Sequence, residues 1–254
     1  MMLHRRDIRL ACWIALMALY GFSPRSGTGT VVFTMVPQYA GQPLQLGQQL
    51  YHSPNGDSFY VDALRFYLSS VQLQGKRANY REKNSYHLID AEDSSRLTFV
   101  LKDVPASTFT SLCFDIGTDS LTNVSGAMGG DLDPSLGMYW AWNTGYINVK
   151  IEGRSNACKT LHHRFEFHLG GYRPPFQTLR RLELPLPSLK IRANTTDTVR
   201  IPIDLAPFFE KIQLAKTNQV MIPSKQAAQL ADVFKGVFMA PQIVSHDKNN
   251  RGKP

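Results

Sequence analysis

The stretch Gly130-Asp-Leu-Asp-Pro-Ser-Leu-Gly-Met-Tyr-Trp-Ala-Trp-Asn-Thr-Gly-Tyr-Ile-Asn-Val-Lys-Ile-Glu-Gly153 changes character halfway along. Its first half is dense in Gly, Asp and Pro, residues with which a backbone turns sharply and caps itself. Its second half alternates apolar and polar residues with period two. The pattern predicts a structured loop feeding a strand. Trp140 and Trp142 sit at the junction two residues apart, so in extended chain both indoles point to one side. In the strand that follows, Tyr146, Asn148 and Lys150 share one face, and Ile147, Val149 and Ile151 share the core face.

The same period recurs on both sides of this stretch. Downstream, Arg164-Phe-Glu-Phe-His-Leu169 puts Phe165, Phe167 and Leu169 inward and Glu166 and His168 on the opposite face, just before Gly170-Gly171. Upstream, Val31–Val36 and Leu44–Gly47 read as a hairpin, and Ser58–Leu73, Tyr86–Asp90, Arg96–Leu101 and Ser111–Gly117 as further strands. Thr178–Leu186 and Asp197–Ile203 are late strands, with Pro202 predicting an edge position for the second. Short helices follow from Asp204 to Lys211 and from an N-cap at Ser224 to Phe234. Many short strands and a few late helices predict an all-β fold, an antiparallel β-sandwich with a long Gly/Asp/Trp-rich loop packed at one end.

The two ends differ from the middle. Residues 1–25 combine a basic start with the apolar run Leu10–Phe22 and a breaker, the composition of an export signal, shorter than the roughly 20 residues that span a bilayer. Residues 26–243 form one expected domain, and residues 244–254 a basic, disordered tail. The membrane enters only through the export signal, and the expected location is periplasmic or secreted. Net charge is +8, but Lys and Arg are scattered without an aromatic-basic platform, which predicts a solvated surface and no nucleic-acid partner. Of three cysteines, Cys12 falls in the signal; Cys113 and Cys158 remain, either bridged or buried as free thiols.

No phosphate loop, nucleophile elbow, His-Glu-x-x-His or Cys-x-x-Cys is present, which favours binding over catalysis; the chain is not expected to be an enzyme. Imidazole and sulfur suit soft or borderline metals. His168 is the first candidate, because it stands in an apolar strand on the face away from the phenylalanines. Met138, Trp140 and Trp142 share alternation parity nearby and offer a thioether and electron-rich rings. Asp131 and Asp133 would suit a hard cation such as calcium, although Asp near Gly and Pro is ordinary turn capping. His162 and His163 are adjacent and diverge in a strand, so both do not bind one ion easily.

Several of these segments together resemble the MbnP-like copper-binding domain family. The resemblance rests on Phe114–Gly117, Asn123–Gly126, Gly130–Pro134, Gly137–Trp142, Asn143–Tyr146 and Ile151–Gly153, with Phe167-His-Leu-Gly170 matching a later His-Leu-Gly segment. Flanking agreement at Leu64–Ser69, Tyr86–Asp90 and Ile203–Leu205 extends it over roughly 31–237. It implies an exported β-sandwich for copper acquisition or handling, with Cu(I) favoured, and a dihaem peroxidase-like partner of the MbnH type. It further implies two histidine ligands and a tryptophan oxidised to kynurenine. Carried over by position, His168 is the first of these imidazoles and Trp140 or Trp142 the oxidised residue; the second histidine is left open, with His87 the next choice and a packing role its alternative. Trp142 stands where relatives carry a histidine two residues beyond the modified tryptophan. The alternative is a metal-free carbohydrate- or protein-binding sandwich using Tyr139, Trp140, Trp142 and Tyr146 as an aromatic platform.

Overall fold

The computed structural model describes residues 27–143 and 145–247, so the expected export signal and the last residues of the basic tail lie outside it. Strands form where β-branched and aromatic residues alternate with polar ones. In chain order they are β1 (Thr28–Tyr39), β2 (Gln42–Pro43), β3 (Tyr51–His52), β4 (Ser58–Gln74), β5 (Asn79–Arg81), β6 (Tyr86–Asp90), β7 (Thr98–Pro105) and β8 (Thr108–Ile116). There follow β9 (Tyr139–Trp140), β10 (Gly145–Arg154), β11 (Arg164–Gly170), β12 (Arg180–Lys190), β13 (Thr196–Asp204), β14 (Gln219–Val220) and β15 (Gln242–Asp247). The described residues also form three short α-helices, α1 (Ser120–Val124), α2 (Ala206–Glu210) and α3 (Lys225–Phe234), besides short 3-10 turns. Ser224 caps α3 as expected, its hydroxyl accepting from Ala227 N. Among the described residues no helix is long and apolar enough to cross a membrane.

The expected β-sandwich is present. Its smaller sheet runs β15-β13-β1-β2, with β7 also on β1; its larger sheet runs β12-β8-β4-β10-β11-β14. Strands β3, β5 and β6 attach along β4, and β9 attaches to β10. Phe33 and Ile201 from one sheet meet Phe66, Leu68, Ile151 and Phe167 from the other in a continuous core. The helices close it, with Phe209 stacked on Phe59 and Phe234 edge-on to Phe66.

Several details depart from the sequence reading. The sandwich is not wholly antiparallel, since β1 runs parallel to β13 and β11 parallel to β14. The first hairpin is curtailed: its second strand is only Gln42–Pro43, because Pro43 has no N–H to extend the ladder, and Leu44–Gly47 leaves as a turn. Strand β13 is central, with β1 on one side and β15 on the other. Pro202 is tolerated because the β15 pairing has already ended at Arg200–Gln242. Finally, β15 continues to Asp247, past the point where disorder was expected to begin.

The Gly/Asp/Trp loop lies across the outer face of the larger sheet, not at one end of the sandwich. Leu132, Met138 and Trp140 from the loop join Tyr67 of β4, Leu88 of β6 and Tyr146 and Ile147 of β10 in a second, smaller apolar cluster. A bulge between Ile147 and Val149 shifts the β10 register, so Ile147 falls in this cluster beside Tyr146 and not in the main core.

Candidate functional site

The loop is fastened at many points. Asp119 caps α1 by accepting from Thr122 N at 2.8 Å, and Asn123 Oδ1 accepts from Tyr146 N at 2.8 Å. Asp131 accepts from Leu88 N at 3.1 Å and pairs with Arg96 at 2.8 Å, while Asp133 caps the next turn by accepting from Ser135 N. Both carboxylates are therefore engaged in holding the loop. Tyr146 donates its hydroxyl to Leu132 O at 2.9 Å, and Arg65 and Lys150 reach the carbonyls of Leu136 and Gly137. Gly137 itself adopts φ +73°, the left-handed conformation that ends the turn before β9.

Beside the loop runs a polar row. Asp90 of β6, Arg65 of β4, Lys150 of β10 and His168 of β11 are successive cross-strand partners, so all four project from the same outer face. Glu152, diagonal to His168, organises this end of the row. Its Oε1 lies 2.7 Å from His168 Nε2 and 3.3 Å from Lys150 Nζ, and its Oε2 lies 3.3 Å from Arg164 Nη2. The hydrogen bond from His168 outweighs the cost of desolvation, and with Lys150 alongside it holds the Glu152 carboxyl well below the usual range, at about 2.

An ionised carboxylate only accepts hydrogen bonds, so the proton between the two residues sits on His168 Nε2. With the ring neutral, Nδ1 then carries the lone pair, and it has no hydrogen-bond partner among the described residues. A carboxylate that fixes the tautomer from behind while the other nitrogen stays open is the usual support of a metal-ligating histidine. His168 is only 7% exposed, so the ring is held by packing as well as by Glu152.

Trp140 lies over the same strand. A Cβ added to Gly170 would come 2.5 Å from Cζ3 and 2.7 Å from Cη2 of Trp140, so the indole rests on the glycine backbone. Gly170 and His168 share a face of β11 and are one pleat repeat apart, roughly 7 Å. Trp142 lies outside Trp140, tilted by 41° with ring centroids 5.5 Å apart, and is 64% exposed, whereas Trp140 is 6% exposed. Met138 is fully buried in the cluster that contains Trp140. Of the five residues expected to form one site, His168, Met138, Trp140 and Trp142 thus belong to the outer face.

His87 does not. It pairs with Leu68, whose side chain is in the main core, and its ring stacks on Phe99 of β7 at 4.4 Å. Its Nε2 is bound to Glu82 at 2.8 Å. Alternation along β6 sends His87 and Ile89 inward and Leu88 and Asp90 outward, so His87 and His168 lie on opposite faces of the sheet. They cannot ligate one ion. Among the described residues, no three His, Cys, Asp or Glu side chains converge as a metal-holding group. What the outer face offers a soft cation is one imidazole nitrogen without a partner among the described residues, on the strand face over which an indole lies one pleat repeat away, with the second implied imidazole missing.

The remaining candidates have other work. His163 donates from Nδ1 to Cys158 O at 2.9 Å, and His52 Nδ1 lies 2.9 Å from Ser58 Oγ. Cys113 and Cys158 are free and buried; desolvation, helped by Asp57, pushes the Cys158 thiol up to about 11. The exposed aromatic platform is not assembled, because Tyr146 is 1% exposed and Trp140 lies beneath Trp142. Sequence reasoning missed Glu152 as the partner of His168, and Lys150 and Arg164 as the cations that pair with Glu152. Their parity placed them on the outer face, but only the register of β10 against β11 brings Glu152 to the imidazole.

The comparisons agree with this architecture. A model of the MbnP family matches residues 28–222, more than three quarters of the chain. Among solved structures, the chain is similar to MbnP from Methylosinus trichosporium, with a TM-score of 0.57 and 14% identity, covering 86% of this chain and 99% of that one. At that identity the likeness is one of fold. No curated protein matches the chain. The extent of the family match and the shared sandwich establish that this chain belongs to the MbnP family.

Proposed function

We propose that the protein is an exported, non-catalytic copper-handling protein that takes Cu(I) on the outer face of its larger sheet, at His168 beside Trp140. The observation that carries this reading is the hydrogen bond from His168 Nε2 to Glu152, which leaves Nδ1 open on the face where the Trp140 indole lies over Gly170. Imidazole and soft neighbours favour Cu(I) over calcium or magnesium, whose oxygen ligands Asp131 and Asp133 are already engaged. Copper as the metal is what the family resemblance implies, and membership of the family supports it. The exposure of Trp142, with Trp140 tilted beneath it, supports a reading in which a dihaem partner of the MbnH type oxidises an indole at this face.

The test is anaerobic titration of Cu(I) against a chromophoric competitor, with wild type, His168→Ala and His87→Ala. Binding by wild type and His87→Ala, and its loss in His168→Ala, is the expected result; equal binding by all three would remove His168 from the site. Intact mass and peptide mapping before and after exposure to a dihaem oxidase then report whether an indole is converted and which one. An unchanged mass would sink the partner assignment while leaving the copper assignment standing.

A further inference from the structure

A separate cleft of about 520 Å³ opens where β4 turns into β5. Gln74, the end of β4, lies nine residues beyond Arg65, roughly 30 Å along the strand from the His168 row. Lys76, Arg77 and Lys190 line the cleft together with Ser107, Thr108 and Thr110. Three segments are tied together here. A Cβ on Gly75 would fall 2.2 Å from Thr108 O, so the turn carrying Lys76 and Arg77 lies flush against the start of β8. Lys190 is the cross-strand partner of Thr108, and Ile191 N donates to Ser107 O at 2.8 Å.

The charges in this cleft are unbalanced. Arg65, Arg96, Arg154, Arg164, Arg180 and Arg181 all pair with carboxylates, but Lys76, Arg77 and Lys190 pair with none among the described residues. No Asp or Glu lines the cleft; the neighbouring acid on β7, Asp103, opens with Lys102 onto two other clefts. The side-chain hydroxyls of Ser107, Thr108 and Thr110 likewise have no partner among the described residues. Like charges gathered around one cavity repel each other, and a bound anion would reverse that penalty. Two ammonium groups, one guanidinium fork and three hydroxyls match an oxyanion of charge two or more better than a single carboxylate. Ile191 and Pro105 give the cleft an apolar wall, and its volume exceeds that of a lone oxyanion.

We propose that this cleft binds a phosphate-bearing polyanion, with its phosphoryl oxygens on Lys76, Arg77 and Lys190. The ligand is either a free phosphoester or the phosphate of a lipid headgroup, and the test separates the two. Pyrophosphate is titrated into the full chain at low salt and followed by the amide shifts of Thr108 and Thr110. The same titration is run with citrate, and with a variant carrying Lys76→Gln, Arg77→Gln and Lys190→Gln. Pyrophosphate should bind with shifts confined to the cleft, and the variant, whose altered side chains are all solvent-exposed, should fold normally and bind at least about tenfold more weakly. Co-sedimentation with vesicles of phosphatidylglycerol and phosphatidylcholine assigns the source: retention that the variant loses points to a headgroup, and absence of retention alongside pyrophosphate binding points to a free ligand. Equal pyrophosphate binding by both proteins, no pyrophosphate binding at all, or citrate binding as tightly as pyrophosphate would each overturn the proposal. Cu(I) binding at His168 is unaffected in either case.

Discussion

Trp140 and Gly170 interlock: the indole occupies the space a Cβ of residue 170 would need, with two ring carbons within 2.7 Å of that position. Gly170→Ala must therefore displace the ring or the strand. The expected cost is about 1–3 kcal/mol in urea unfolding, with weaker Cu(I) binding because the indole leaves the His168 face. A variant as stable as wild type would show that Trp140 has room to move.

The two tryptophans should separate cleanly. Trp140→Ala empties a buried position and is expected to cost about 3–5 kcal/mol, whereas Trp142→Ala, altering an exposed ring, should stay within about 1 kcal/mol of wild type. Equal losses in denaturant unfolding would contradict the layered arrangement.

Glu152 gives stability a defined pH dependence. Its carboxyl titrates at about 2 in the folded protein against an ordinary 4.5. A depressed folded value means that the contribution is complete above about 4.5 and is lost as pH falls from there through about 2, where the unfolded chain binds the proton first. The slope of unfolding free energy between those limits should shrink in Glu152→Gln. In Glu152→Ala, which also frees the imidazole from its tautomer, Cu(I) affinity should fall on the order of 10–100-fold. An unchanged affinity would mean that the carboxylate does not orient the ligand.

His87 is expected to matter for stability alone. Removing a ring stacked on Phe99 and bonded to Glu82 should cost about 1–3 kcal/mol and leave Cu(I) affinity as in wild type. A fall in affinity without a fall in stability would return His87 to the site.

Both cysteines should count as thiols without reductant, silent to alkylation at pH 8 in the folded protein and reactive once it is denatured. Burial of both, and the raised Cys158 thiol, predict that silence. Finding no thiol in the denatured, unreduced chain would establish a bridge that the structure does not contain.

The alternation Phe165, Phe167, Leu169 against His168, and the cap at Ser224, were legible because they depend only on neighbours a few residues away. Inward and outward assignment failed where the outer face is itself covered. Strand β6 is apolar on both sides, Ile89 facing the main core and Leu88 the loop, so its parity does not reveal where His87 points. The Glu152–His168 contact was hidden for another reason. It depends on how the segment 155–163 folds back, and that sets which residue of β10 meets β11. The same holds for β1 and β13, whose parallel pairing no local pattern encodes.

That pairing bears on how the molecule comes into being. Thr30 lies beside Thr196, and the ladder continues to Gln38 beside Asp204, so β1 finds the strand on one of its sides more than 160 residues downstream. A nascent chain emerging from its N-terminus holds β1 unmatched on that side until nearly the whole sequence has appeared. Contacts of such separation make for slow assembly, and they expose a Val- and Phe-rich edge in the meantime. A chain truncated before Thr196 would carry His168, Trp140 and Trp142 and still lack the strand that closes the sheet behind them.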